Sequence, residues 1–217
     1  MGVVAGRKSY NQNCPIAYGL DVLGERWTLL ILRELIGGAR RYGDVRAALP
    51  GIATNLLADR LRELEAAGLV SRTELPPPVA RTVYSLSDEG WRRVPPVIRA
   101  IATFGLDMLN ADESAFTPLT GFLAGILLGF DPVRIPDSSG SYSVEIDGRR
   151  FDFGATRKGL TAAAGPPGVV VTATAADLIT ARLGATAAER KAALRRCSFK
   201  GAASEVSAMR AAFDLVA

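Results

Sequence analysis

An α+β fold in two parts is predicted for this chain by two different hydrophobic periodicities. In residues 57–64, leucines recur at i, i+4 and i+7, which places them on one face of a helix. In residues 142–146, apolar and polar residues alternate as they do in a half-buried strand, and Asp147-Gly148 follows as a two-residue hairpin turn. The polar stretch 110–114 separates the two patterns, so we expect two domains, residues 1–110 and residues 111–217.

The first domain is predicted to contain two helices joined by a tight turn. Residues 42–49 form a short helix that Pro50-Gly51 ends, and residues 53–67 form a longer helix. Thr54 is expected to be its N-cap or a first-turn hydroxyl, and Gly68 lies where a left-handed residue closes a helix.

A predicted β-hairpin follows the second helix. The runs 69–75 and 82–86 have strand-like composition, and between them lies a tip with three consecutive prolines and Arg81. A helix-turn-helix followed by such a hairpin is the winged-helix arrangement. Its second helix enters a DNA major groove, and the hairpin lies on the flanking backbone or minor groove.

The outward face of the second helix and the cations around it are the predicted DNA contacts. Residues that face away from the leucine stripe would meet base edges, and nearby arginines would meet phosphates. The alternative is that several of these arginines are ordinary solvated surface and that Arg60 is half-buried beside Leu64. The predicted DNA-binding residues are Arg41, Thr54, Asn55, Asp59, Arg60, Arg62 and Arg81.

Residues 14–105 resemble the HxlR family of winged-helix transcriptional regulators, which are relatives of MarR. The matching segments are Cys14-Pro15, GERWTLLILREL at 24–35, LPGI at 49–52, LADRLRELEAAGL at 57–69 and VYSLS at 83–87. The resemblance implies a homodimer that binds a near-palindromic operator in double-stranded DNA. Asn55 stands where many relatives carry a basic residue, so the base preference of the family does not transfer to this chain.

Two apolar stripes are predicted to form the dimer interface. After Pro95-Pro96, which are expected to interrupt or restart a helix that begins after Ser87, apolar residues recur at helical spacing. The alternative is that this stripe packs on the protein's own first helix, although in the resembled family both helices usually contribute to the dimer. The predicted dimer residues are Ile16, Leu20, Val97, Ile101, Phe104 and Met108.

The composition excludes several kinds of site. The chain has no histidine, and its two cysteines, Cys14 and Cys197, do not have the spacing of a metal site. We therefore expect no metal, no cofactor and no enzymatic activity, with acid/base chemistry by Asp and Glu pairs as the open alternative. No apolar run approaches the ~18 residues of a membrane span, and the N-terminus lacks a signal-peptide pattern, so a cytoplasmic protein without membrane contact is expected.

Cys14 precedes a proline at the start of a predicted helix. Some members of the resembled family sense oxidants or electrophiles through a cysteine at the matching position. Cys14 is therefore the predicted redox residue. The alternative is a buried or bystander thiol with no signalling role.

The second domain is predicted to be a small α/β domain that begins at Thr117-Pro118. Its strands lie near 142–146, 151–153, 159–163, 169–174 and 197–200; Thr174 and Thr186 cap two short helices; and a final helix spans 204–216. This order resembles the sterol carrier protein fold, which holds an apolar ligand between sheet and helices. The predicted lining residues are Phe122, Ile126, Phe151, Phe153, Leu178, Met209 and Phe213. The alternative is that they fill a closed core.

These patterns together predict a homodimeric DNA-binding transcriptional regulator that is controlled by a hydrophobic small molecule bound in the second domain. One alternative is a lipid or acyl-chain carrier whose winged helix mediates protein contacts. Another is a regulator that senses redox state through Cys14. Salt distinguishes a DNA reader from a carrier, because DNA affinity falls steeply as the salt concentration rises.

Overall fold

The computed structural model describes residues 9–78, 81–109, 116–136 and 140–216. The chain forms two compact units, the first of residues 1–35 and 39–87 and the second of residues 36–38 and 88–217. The units therefore divide earlier than the predicted domain boundary at residue 110, which stays a prediction. The stretch predicted as a linker, residues 110–114, lies outside the described residues.

The first unit combines helices with a small antiparallel sheet in the order β1-β3-β2. Strand β3 pairs with β1 through Val83 and Arg41 and with β2 through Leu86 and Val70. Its described elements are α1 (Pro15–Leu23), α2 (Thr28–Ile36), β1 (Arg40–Arg41), α3 (Tyr42–Ala48), α4 (Thr54–Ala66), β2 (Val70–Leu75) and β3 (Arg81–Leu86).

Apolar side chains from three helices form the core of the first unit. They come from the buried faces of α2, α3 and α4, as the helical periodicity predicts. The completely or almost completely buried members are Ile31, Leu32, Leu35, Val45, Leu57, Leu61 and Leu64.

The second unit is built on a mixed sheet in the order β6-β5-β4-β7-β8, in which β4 and β7 are parallel and the other pairs antiparallel. Short 3₁₀ segments span Leu106–Met108 and Pro132–Arg134, and a π-helical segment, Phe122–Leu127, continues α6. Its other described elements are α5 (Asp88–Phe104), α6 (Pro118–Gly121), β4 (Gly140–Ile146), β5 (Arg149–Thr156), β6 (Gly159–Thr161), β7 (Val169–Ala173), α7 (Ala175–Leu183), α8 (Ala187–Arg196), β8 (Ser198–Gly201) and α9 (Ala203–Ala212).

Local sequence signals in the second unit are confirmed. Asp147 and Gly148 both have positive φ, at 47° and 78°, which is the type I′ geometry that a two-residue hairpin favours. The Thr174 hydroxyl accepts from the Asp177 N–H at 3.0 Å. In the same way the Thr186 hydroxyl accepts from the Glu189 N–H at 3.2 Å, so both threonines cap helices.

Two predictions about helices of the second unit are wrong. Pro95-Pro96 do not break α5, which is continuous from Asp88 to Phe104 although neither proline has an N–H to donate to the carbonyl four positions earlier. The last helix ends at Ala212 and not at Val216, because Asp214 adopts a left-handed conformation with φ +51°. The Leu215 N–H then bonds back to the Arg210 carbonyl at 2.8 Å.

The α+β class is confirmed, with a five-stranded sheet in the second unit. Likeness of that unit to the sterol carrier protein fold stays a prediction. Among the helices that the structure describes, none has both the length and the apolar character needed to cross a membrane.

Candidate nucleic-acid interface

Helices α3 and α4 are held together by the turn that joins them. Gly51 takes φ +91°, a conformation that glycine reaches without steric cost, and the Ile52 N–H donates to the Leu49 carbonyl at 3.2 Å. The Tyr42 hydroxyl donates to the Thr54 carbonyl at 2.6 Å. This bond links the first residue of α3 to the first residue of α4 and so holds the starts of the two helices together.

Helix α4 has one buried and one exposed face, as predicted. Its leucine stripe is buried, whereas Thr54, Asn55 and Asp59 are exposed. Thr54 is the first residue of the helix and not its N-cap, since Ala53 occupies that position. At the other end Gly68, with φ +72°, closes α4, and the Leu69 N–H donates to the Leu64 carbonyl at 3.0 Å.

The arginines around α4 fall into two groups. In the first group the guanidinium is already paired: Arg60 bonds to Glu25 at 3.0 Å and also to Glu63, and only 13% of its side chain is exposed. Arg62 pairs with Asp59, but 73% of its side chain is exposed. Arg60 therefore links α4 to the segment between α1 and α2, while Arg62 remains accessible to solvent.

The second group consists of Arg41, Arg46 and Arg81, which are exposed. Among the described residues none of the three has a carboxylate partner within 4.0 Å. Arg81 begins β3 and lies opposite Leu75 at the turn end of the hairpin, next to the proline tip. Residues 79 and 80 of that tip lie outside the described residues.

Sequence reasoning missed a buried ion cluster behind this surface. Glu34 on α2 is 2% exposed and accepts from Arg33 at 2.9 Å and from Arg40 at 2.8 Å. Because Arg40 lies on β1, the cluster ties α2 to the edge of the wing sheet. The available signal was a single carboxylate inside the apolar run 28–36, since a charge in such a helix requires a partner.

Comparison with known proteins identifies this region. A family model described as HxlR-like helix-turn-helix matches residues 22–113. An HTH-type transcriptional regulator of Synechocystis is 41% identical over 108 residues, covering 50% of this chain and 79% of that protein. The chain belongs to the HxlR family.

Other relatives match the same half of the chain. The HTH-type transcriptional regulator YvaP of Bacillus subtilis is 33% identical over 101 residues, which cover 46% of this chain and 93% of that protein. A solved structure of a MarR-family transcriptional regulator from Porphyromonas gingivalis is 35% identical, with a TM-score of 0.42, and covers 48% of this chain and 100% of its own.

Residues predicted to mediate dimerisation of the HxlR-family region are mostly exposed. On α1, Ile16 is 71% exposed and Leu20 44%. On the other stripe Phe104 is 80% exposed and Met108 77%, with Ile101 also exposed, whereas Val97 is half-buried. Large apolar side chains left in water at helical spacing are typical of a surface that another chain covers.

The two cysteines of this HxlR-family protein differ in accessibility. Cys14 immediately precedes α1 and is partly exposed, and both cysteines are free thiols. Cys197 is buried, which, with the charge of Asp177, raises its pKa to about 11. With this pKa the Cys197 thiol is protonated at neutral pH. It is therefore inert, because the thiolate is the reactive form. The redox role of Cys14 stays a prediction.

The seven residues predicted to line a ligand cavity are all buried in the core of the second unit. Each is at most 1% exposed. The Phe122 and Phe151 rings stack with centroids 4.6 Å apart, and Phe153 contacts Phe122 and Phe213 edge-on at 5.5 and 5.7 Å. That these residues line a tunnel stays a prediction. Among the described residues, no cluster of carboxylates and thiols has the geometry of a metal site.

Proposed function

We propose that this protein is a homodimeric transcriptional regulator that binds a near-palindromic operator in double-stranded DNA through α4 and the β2–β3 wing. The observation that carries the proposal is the exposed face of α4. It presents Thr54 and Asn55 in its first turn, opposite a fully buried leucine stripe, and beside it are exposed arginines that have no carboxylate partner among the described residues. A helix of this form presents its N-terminal residues to base edges in the major groove.

The roles of the individual residues follow from their partners. Asn55 is exposed, and its side-chain amide has both a hydrogen-bond donor and an acceptor, so we assign it as the base-reading residue. An Asn side chain can form two hydrogen bonds with one adenine. Arg41 and Arg81 lack carboxylate partners in the part of the chain described and would neutralise phosphates. Arg60 would hold α4 in place through its ion pairs with Glu25 and Glu63.

Dimerisation is supported by the exposed stripes Ile16–Leu20 on α1 and Ile101–Met108 at the end of α5 and beyond it. A two-fold dimer presents two copies of α4 to half-sites about one helical turn apart, near 34 Å. Control by a hydrophobic small molecule bound in the second unit completes the proposal. Such a ligand changes DNA affinity only if it binds the two DNA-competence states with different affinity.

Selection of bound fragments from the protein's own genomic DNA tests this function. We expect enrichment of a near-palindromic sequence, and we expect affinity for it to fall about 10²-fold or more between 50 and 200 mM salt. The control is a shuffled sequence of the same composition. If no sequence is enriched, or if affinity does not change with salt, the protein is not an operator-binding regulator, and the carrier alternative gains support.

A further inference from the structure

An apolar groove runs along one side of α5 and belongs entirely to the second unit. Its volume is about 650 Å³, which is within the range of small-molecule binding sites. Trp91 and Pro95 of α5, Leu127 and Phe130 after α6, and Leu160 of β6 line it. All five side chains are buried, so they form a preformed apolar floor.

Three cations surround this floor. Arg92 is paired with Glu89, and that contact lowers the pKa of the glutamate and raises the pKa of the arginine. Arg99 donates to the Phe130 carbonyl at 2.6 Å. In the part of the chain that the structure describes, neither Arg99 nor Lys158 has a carboxylate within ion-pair distance. The groove thus has an apolar floor and two positive charges without an acidic ion-pair partner among the described residues.

We propose that this groove binds an amphipathic monocarboxylate, with its apolar body on the floor and its carboxylate between Arg99 and Lys158. A guanidinium has five N–H donors, and Arg99 spends one of its groups on Phe130, so donors remain for an anion. That bond also holds the guanidinium in place, so less side-chain entropy is lost when an anion binds. Hydrogen bonds between a charged donor and a carboxylate are stronger than hydrogen bonds between neutral groups.

The groove is a better ligand site than the aromatic core of the same unit. The core rings are in mutual contact, with centroids 4.6 to 5.7 Å apart, so an occupant would have to separate them. The groove needs no such rearrangement. Its regulatory meaning rests on the proposed function, whereas the binding itself does not require DNA.

A smaller recess of about 330 Å³ continues the groove past Lys158 and includes Asp88 in its lining. This carboxylate opposes an anion at that end. The favoured position of the ligand carboxylate is therefore at the Arg99 side, and the apolar body extends over Trp91.

Tryptophan fluorescence gives a direct readout, because Trp91 lines the groove and the chain has only one other tryptophan, Trp27. The probe is decanoate, and decan-1-ol is its uncharged counterpart. In the Trp27→Phe variant we expect a saturable change in Trp91 emission with decanoate and at least about tenfold weaker binding of the alcohol. Calorimetry with the unsubstituted protein should give the same dissociation constant.

Three variants locate the site. Lys158→Gln should weaken decanoate binding about fivefold and leave decan-1-ol binding unchanged, because it removes only a charge. Ala100→Phe, at an exposed position that lines the groove, should weaken both probes by occupying the space. Arg93→Gln is the matched control, since Arg93 is exposed on the same helix and also contacts Glu89 but does not line the groove.

Equal affinity for acid and alcohol, or an unchanged affinity in Lys158→Gln, would overturn the proposal. So would decanoate binding that Ala100→Phe leaves intact, because the site would then lie elsewhere. A separate operator titration with and without decanoate distinguishes this proposal from the proposed function. Bound decanoate with unaltered operator affinity refutes ligand control and leaves the groove site standing, whereas operator binding without any decanoate binding refutes the groove site alone.

Discussion

Among the described residues of the first unit, Arg41, Arg46 and Arg81 are exposed beside α4 and have no carboxylate partner, whereas several arginines of the second unit bind main-chain carbonyls. Arg99, Arg157, Arg190 and Arg210 each donate to one carbonyl, and Arg182 donates to three. The same residue type therefore has two uses: the three arginines beside α4 supply an open electrostatic surface, and those bound to carbonyls cross-link the second unit internally. With a net charge of only +4, the location of the cations is more informative than their number.

Arg182 is the strongest case of a structural arginine. Its guanidinium donates to the carbonyls of Ala124, Gly125 and Phe213 and pairs with Asp214. A Cβ at Gly129 would lie only 1.8 Å from Arg182 Nη2, so a glycine is required there for the guanidinium to reach these carbonyls. Such a group cannot be removed without leaving part-buried acceptors unsatisfied.

The comparison predicts its largest effect at this residue. Arg182→Gln should lower the free energy of unfolding by about 3 kcal/mol, because several carbonyls and Asp214 lose their partner together. Urea denaturation followed by circular dichroism measures the loss. Arg195→Gln is the control, since Arg195 is exposed on α8, and it should change stability by no more than about 0.5 kcal/mol. Equal effects of the two substitutions would remove the distinction between structural and surface arginines.

The second-largest expected effect is on dimerisation, from a substitution in the exposed apolar stripe of the second unit. Phe104→Glu should raise the dissociation constant of the dimer at least about hundredfold, since a symmetric interface contains the substitution twice and each copy places a charge in an apolar contact. Sedimentation velocity across a dilution series gives the constant.

Val133→Glu is the matched control for this measurement. Val133 is also an exposed apolar residue, at 81%, but it lies outside the predicted stripe. Its substitution should leave the dimer unchanged. A wild-type protein that is monomeric at micromolar concentration would contradict the dimer directly, and an equal effect at Val133 would show that the stripe is not specific.

Much of the fold could be predicted from local sequence. The caps Thr174 and Thr186, the Asp147-Gly148 turn and the buried face of α4 each depend on residues within a few positions of one another. Such signals can be recognised in the sequence because the interactions behind them join residues that are close along the chain.

Pairing between distant residues could not be predicted in this way. Arg60 reaches Glu25 across 35 positions, a contact that no local pattern predicts. Its predicted role in DNA binding stays a prediction. The groove combines α5 with Leu127, Phe130 and Leu160, which are adjacent only after folding. For the same reason the aromatic residues predicted to enclose a ligand could not be distinguished in sequence from residues that fill a core.

We propose that α4 reads bases while arginines without a carboxylate partner among the described residues bind the DNA backbone, and a paired titration tests this division of roles. Asn55→Ala and Arg81→Gln are each measured against the selected operator and every single-base variant of one half-site. We predict that Asn55→Ala loses about 1 to 3 kcal/mol on the operator and flattens discrimination at one base pair. Arg81→Gln should weaken all sequences alike and reduce the salt slope by about 1. If Asn55→Ala instead lost the same affinity for every sequence in the panel, Asn55 would not read a base.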